Sequence, residues 1–212
     1  MTQAPGEART ALQTDARALV AAAVALHTGA TAEAEATQWE GSRLLLALAA
    51  ADVHAEAVVV GGGVRPLLRM LSVHPTAAVR GEAVAAMSTL AAHAFSHAAI
   101  RDAGGVGCIV SSLLVGEVDE RRHAAVVLAA LAMAPDNHRE LQEADGVHAL
   151  LDVLKSGGVA EAAPAGDALL AFAAPAHNKR LLRDMGALST LVWLLLSGTG
   201  VVKAKVRASL GR

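Results

Sequence analysis

One spacing governs the chain: a short turn signature that returns every 41 or 42 residues. The triplets Gly62-Gly63-Val64, Gly104-Gly105-Val106, Asp145-Gly146-Val147 and Gly186-Ala187-Leu188 stand 42, 41 and 41 positions apart. After each triplet, apolar residues recur at offsets 0, 3, 4 and 7 from its last residue, the buried stripe of a helix. They read Val64, Leu67, Leu68, Leu71; Val106, Ile109, Val110, Leu113; Val147, Leu150, Leu151, Leu154; and Leu188, Leu191, Val192, Leu195. A period of this length marks a stack of supersecondary units, none of which buries its apolar face alone.

Each of the first three stripes is followed by a second helix in the same register. Its core positions are Ala83, Ala86, Met87, Leu90; Ala124, Val127, Leu128, Leu131; and Ala165, Ala168, Leu169, Phe172. One interval earlier lie Gly41, Leu44, Leu45 and Leu48; one interval later lie Val206 and Leu210. A short helix precedes each triplet and carries Val58, Ile100, Leu141 or Leu182. The glycines then serve as left-handed caps that turn the chain sharply into the next helix. Composition agrees, since roughly a quarter of the residues are alanine, the best helix former, and aromatics are 2%. Strands favour β-branched and aromatic residues, and disorder is excluded by 54% apolar content.

A short helix, a glycine turn, a core helix and a longer helix rich in small residues resemble the armadillo repeat. The phrases IRDAGGVGCIVSSLL and LQEADGVHALLDVL are similar to that family's second-helix wording, and EAVAAMSTLA and AAVVLAALA to its third. The resemblance implies an all-α, right-handed α-α superhelix of about four and a half three-helix repeats. Its repeats are 12–53, 54–95, 96–136, 137–177 and a truncated 178–212, one domain behind an extension at 1–11. HEAT repeats, with two helices per unit, are the nearest alternative. The last stretch, SGTGVVKAKVRASL, also resembles the final repeat of plant U-box armadillo domains.

Both ends read as finished. Residues 11–27 form a helix with Gln13, Thr14 and Arg17 on one side, and Thr37 and Glu40 have capping-box spacing. Val201, Val202, Val206 and Leu210 share a face that Lys203, Lys205 and Arg207 avoid. The run 18–26 sits behind Glu7 and Asp15 and reads as a helix rather than a signal peptide. The longest apolar run, 124–134, is too short to span a membrane. Cys108 is the only cysteine, so no disulfide forms within the chain, and a reducing, cytoplasmic setting is expected. Net charge of -2 with interspersed signs argues against a nucleic-acid partner.

Chemistry is sparse. The VVVGGGVRPLL segment lacks the third glycine of a dinucleotide fingerprint, because Pro66 stands there. His93 and His97 flank a turn rather than sharing a helix face, so no metal site is expected. His97 and His138 hold equivalent positions, followed by Lys179, and read as a solvated turn edge. Asp119-Glu120-Arg121-Arg122 reads as a solvated helix start. Cys108 aligns with Pro66 and Ala149 as a small packed residue. With no acid–base pair, metal or cofactor site in view, the chain is read as non-enzymatic. Pro164, Gly166 and Asp167 predict that the third repeat's long helix starts near residue 162 and is the shortest of its kind.

The resemblance implies binding of an extended peptide or a helix along the third helices, as part of a scaffold or larger assembly. In the importin-alpha and beta-catenin branches an asparagine ladder holds the peptide backbone there. The matching positions here are Ala47, Thr89, Ala130 and Ala171, and those of the accompanying tryptophan are Arg43, Ala85, Val126 and Asp167. The ladder is absent, so that mechanism is not expected. Two further expectations concern apolar surface. At offset 5 stand Arg69, Ser111, Asp152 and then Trp193, and at offset 8 Ser72, Leu114, Lys155 and then Leu196. Trp193 with Leu196 is therefore expected to contact another protein or a second copy of this chain; Trp39 is a weaker candidate. The alternatives are a substrate-recruiting module of a ubiquitin ligase and, further off, a solenoid lyase.

Overall fold

The computed structural model describes residues 16–24, 43–51, 54–73, 76–156, 159–187 and 189–190. Among the described residues there is no β-strand. Residues 16–24 form α1 and 43–49 form α2. They are followed by α3 (Ala55–Val60), α4 (Val64–Val73), α5 (Ala77–Ala91), α6 (Ala94–Asp102), α7 (Gly105–Val115) and α8 (Val118–Ala132). A 3-10 turn at Pro135–Asn137 leads into α9 (His138–Glu143), α10 (Gly146–Ser156), α11 (Val159–Phe172) and α12 (Ala176–Asp184). The short, core and long helices of each unit thus fall where the 41-residue period places them.

The chain divides into two compact units, Met1–Ala103 and Gly104–Arg212. In the first, α4 packs on α5, and α3 lies against α5 and α6. In the second, α7 packs on α8 and α10 on α11; α8 and α11 share the most extensive contact. All core positions assigned to α4, α7 and α10, and to α5, α8 and α11, are buried, from Val64 and Leu71 through to Leu169 and Phe172. Val58, Ile100, Leu141 and Leu182 are buried as well. Leu45 and Leu48 of the first repeat are buried, whereas Leu44 is half-buried. The stripe residues Leu188, Leu191, Val192 and Leu195 and the core positions Gly41, Val206 and Leu210 lie outside the described residues. So do the capping-box pair Thr37 and Glu40 and the face at 201–210.

The turn signature has a conformational cause. Its first residue has positive φ in all four triplets: +79° at Gly62, +72° at Gly104, +74° at Gly186 and 59° at Asp145. Only glycine enters that region freely, with aspartate and asparagine as the usual exceptions. The second residue packs: a Cβ built at Gly63 would meet Val58 Cγ1 at 2.7 Å.

Two sequence expectations are corrected here. α11 begins at Val159 rather than near 162, and carries Pro164 in its second turn. At 14 residues it is one shorter than α5 and α8. Proline there removes one backbone bond, but Ala162, Ala165, Ala168 and Leu169 are all buried, and that packing holds the first turn in place. The Asp119–Arg122 segment is not uniformly solvated either. Glu120 is buried, and Arg121 places both Nε (3.1 Å) and Nη2 (2.7 Å) on Oε1 of Glu161, which is only 2% exposed. The cause is the stacking of α11 on α8, which brings a helix start of one repeat over that of the next.

Candidate functional site

Third helices carry the positions that the sequence singled out, and their periodicity decides which of those reach solvent. On α8 the core takes Ala124, Val127, Leu128 and Leu131, so residues 122, 126, 130 and 133 occupy the opposite face. Val126 is 38% exposed and Met133 72%, with Ala129 and Ala130 half-buried between them. On α11 the equivalent face is Ala163, Asp167, Leu170, Ala171 and Ala174, all half-buried or exposed. α8 packs on α11, and Val126 and Ala130 on the one and Ala171 on the other stand on the faces turned away from the core. On α5 of the first unit, Ala85 and Thr89 are half-buried, and on α2 Arg43 and Ala47 are exposed. Trp39, Trp193 and Leu196 lie outside the described residues.

This surface has little hydrogen-bonding capacity. The helical backbone groups beneath it are already paired, and alanine adds none. Thr89 turns its hydroxyl back onto the Ala85 carbonyl at 3.4 Å. On α8 charge is confined to one end, where Arg122 Nη2 donates to Asp119 Oδ1 (3.4 Å) and to His123 Nε2 (3.2 Å), while the α11 face carries the exposed Asp167. The His123 imidazole is held below its ordinary value, first by burial and then by the Arg122 cation, with Asp119 opposing. Met133 and Leu170 were not singled out from the sequence. The signal was available, since Met133 follows Val126 and Ala130 at offsets 7 and 3.

Outside this face the polar side chains work as struts. Ser96, Asn137 and Asn178 recur at the repeat spacing, and all three are fully buried. Each donates to the carbonyl six residues back: Ser96 Oγ to Leu90 (2.6 Å), Asn137 Nδ2 to Leu131 (2.9 Å) and Asn178 Nδ2 to Phe172 (2.8 Å). The Leu90 and Leu131 carbonyls also accept the backbone N–H of His93 (3.0 Å) and Ala134 (3.2 Å), so the side chains add a second bond at these helix ends, and at Phe172 the side chain supplies the bond itself. The histidines alongside are therefore not a solvated edge. His97 Nε2 meets the Ala91 carbonyl at 2.8 Å, and His138, 4% exposed, meets that of Ala132 at 2.7 Å. A carbonyl only accepts, so His138 carries its proton on Nε2. Its Nδ1 then accepts from Asn178 Nδ2 at 2.9 Å, while Gln142 Nε2 donates to Asn178 Oδ1 at 3.3 Å. Lys179, the third member of that position, is exposed. The Cys108 thiol is half-buried.

Among the described residues, no group of three or more His, Cys, Asp or Glu is arranged to hold a metal ion. No single described helix is long and apolar enough to cross a membrane.

Comparison with known proteins agrees with this geometry. Residues 62–159 match a protein-family model described as armadillo-like. An engineered protein solved by the Northeast Structural Genomics Consortium is 29% identical, with a TM-score of 0.77 over 98% of this chain and 83% of that one. A second engineered protein from the same consortium is 30% identical with a TM-score of 0.77, covering 91% of this chain and 47% of its own. A designed armadillo repeat protein in complex with the peptide (KR)4 shares the fold at 20% identity, TM-score 0.77, over 91% of this chain and 80% of that chain. No curated protein matches the chain.

Proposed function

Because the chain is an armadillo-like repeat protein, we propose that it is a non-enzymatic, cytoplasmic interaction subunit that seats a helical segment of a partner protein on its third helices. The observation that carries this reading is the apolar set Val126 and Ala130 on α8 with Met133 just past its end, matched by Leu170 and Ala171 on α11 with Ala174 just past its end. An extended peptide brings unpaired backbone N–H and C=O groups, and burying them without partners costs free energy. The asparagines that would meet those groups are replaced by Ala47, Thr89, Ala130 and Ala171. A helix satisfies its backbone internally, and small residues let its axis approach closely. Docking an amphipathic helix in this way is a recurring mode of recognition. The designed armadillo protein in complex with (KR)4 supports a protein ligand for the fold. Arg43 and Thr89 hold the matching positions within the first unit and are proposed as contacts on sequence grounds. Trp193, Leu196 and Trp39 are proposed as added contacts on sequence grounds, to a partner or to a second copy of this chain.

Site-specific photo-crosslinking tests the face. A benzophenone side chain at position 130 or 171 is expected to capture a discrete partner, and one at 111 or 152, on the opposite exposed side, is not. Equal capture from both sides would refute the assignment.

A further inference from the structure

Formal charge is spread unevenly along this chain. Residues 176–212 hold seven Lys/Arg against one Asp, while the 175 residues before them hold eleven Lys/Arg against nineteen Asp/Glu. The described part of that basic end is α12. Asn178 and Leu182 face inward and are buried, which leaves Lys179, Arg180 and Arg183 together on the exposed face. Arg183 Nε has a carboxylate, Asp184 Oδ1, at 3.6 Å. Among the described residues, none pairs with Lys179 or Arg180.

Folding does not explain this arrangement. Lys179 and Arg183 are four apart and Arg180 and Arg183 three apart, spacings at which like charges on a helix repel. Lys179 also closes the first turn of the helix, where the dipole disfavours a cation. The corresponding residues of the preceding repeats are built differently. In α9 they are His138, which is a buried cap, Arg139, paired to Glu143 at 2.7 Å, and Gln142. In α6 they are His97, Ala98 and Arg101, the last paired to Asp102 at 3.0 Å. Three exposed cations at these positions, two of them without a carboxylate partner among the described residues, are therefore peculiar to α12.

We propose that the exposed face of α12, formed by Lys179, Arg180 and Arg183, is a docking surface for a short acidic segment of a partner protein. Charge complementarity selects an anion, and the surroundings select its size. Four residues of helix span about 6 Å, enough to meet a few carboxylates. Residues 104–175, which make up the rest of this unit up to α12, hold ten Asp/Glu against four Lys/Arg. A nucleic-acid backbone or an anionic membrane presents phosphates over a far longer span and would be forced onto those carboxylates. A short Asp/Glu-rich peptide is not. This surface lies on a first helix and is independent of the third-helix face proposed above.

The test uses the full chain and three fluorescent probes: a peptide of alternating Glu and Ser, a single-stranded oligonucleotide, and vesicles containing phosphatidylserine. The acidic peptide is expected to bind most tightly, with affinity that falls as salt rises. Replacing Lys179→Gln, Arg180→Gln and Arg183→Gln together is expected to weaken that binding roughly tenfold or more. Arg65→Gln with Arg69→Gln, exposed on α4, is expected to leave it unchanged. Circular dichroism is expected to show the triple variant as helical and at least as heat-stable as the parent, since repulsion has been removed. Peptide binding that is absent, or unaffected by the triple change, would overturn the proposal, as would tighter binding of the oligonucleotide or the vesicles.

Discussion

Substituting Asn178→Leu keeps the branching of the side chain, adds apolar volume and removes a buried amide that makes three hydrogen bonds. Asn178 Nδ2 spends both hydrogens, on the Phe172 carbonyl at 2.8 Å and on His138 Nδ1 at 2.9 Å, and Oδ1 accepts from Gln142 at 3.3 Å. Leucine loses all three bonds and strands two acceptors in the interior, since His138 is buried and Asn178 has no exposure at all. A net hydrogen bond contributes about 1 kcal/mol, and a buried acceptor left unpaired costs about 1–3 kcal/mol. Discounting the long contact to Gln142 and crediting the apolar volume gained, the loss should be about 2–4 kcal/mol. Ser96→Ala, at the same position two repeats earlier, gives up one hydroxyl shared between the Leu90 (2.6 Å) and His93 (2.8 Å) carbonyls. It should cost about 1 kcal/mol. Urea titrations followed by circular dichroism measure both. A double-mutant cycle of Asn178→Leu with His138→Phe isolates the inter-repeat bond, with an expected coupling of about 1 kcal/mol. Equal losses at positions 96 and 178, with no coupling to His138, would show that the network does not tie one repeat to the next.

Three further outcomes follow from the same geometry. Leu128→Ala, in the core of α8 with no exposure, should cost about 2–5 kcal/mol. Exposed Arg69→Ala should stay within about 0.5 kcal/mol in the same melts. Arg121→Met, which leaves the buried Glu161 carboxylate without its partner, should destabilise by about 1–3 kcal/mol, whereas Arg121→Met with Glu161→Met should be near neutral in denaturant titrations. The His123 imidazole is held below its ordinary value by burial and Arg122, so the unfolded chain takes up that proton at higher pH than the native state does. Its contribution is therefore full above about 6.5, the unfolded value, and is lost as pH falls toward the folded one. Melting temperature recorded against pH should fall less steeply for His123→Gln than for the parent.

The fold was legible because its signal is redundant. Val106, Ile109, Val110 and Leu113 could each be read alone as helix or strand, but their return as Val147, Leu150, Leu151 and Leu154 fixes both period and face. Asp145 at a left-handed position was legible only because glycine holds the same place in the other repeats. The struts were not read. Ser96, Asn137 and Asn178 recur at the same period, yet polar residues at a turn resemble solvent-facing loop until each is seen to donate to the carbonyl six residues back. Glu120 and Arg121 failed for a related reason: burial of a helix start depends on the repeat stacked over it, which local patterning does not encode. Pro164 was weighed by its local cost, and the burial of Ala162, Ala165 and Ala168 outweighed it. The candidate site was half legible. Val126, Ala130 and Ala171 stand on the face that the register assigns them, whereas Met133, just past the end of α8, falls at none of the positions that the asparagine pattern marks.

The conformation of a bound segment tests the account most directly. A partner segment captured at position 130 can be isotope-labelled and its Cα chemical shifts measured in complex with the full chain. Helical shifts throughout the buried stretch, weakened together with binding by Val126→Glu, are the result expected from a face without asparagines. Extended shifts, with the segment's backbone amides protected by this protein, would contradict it.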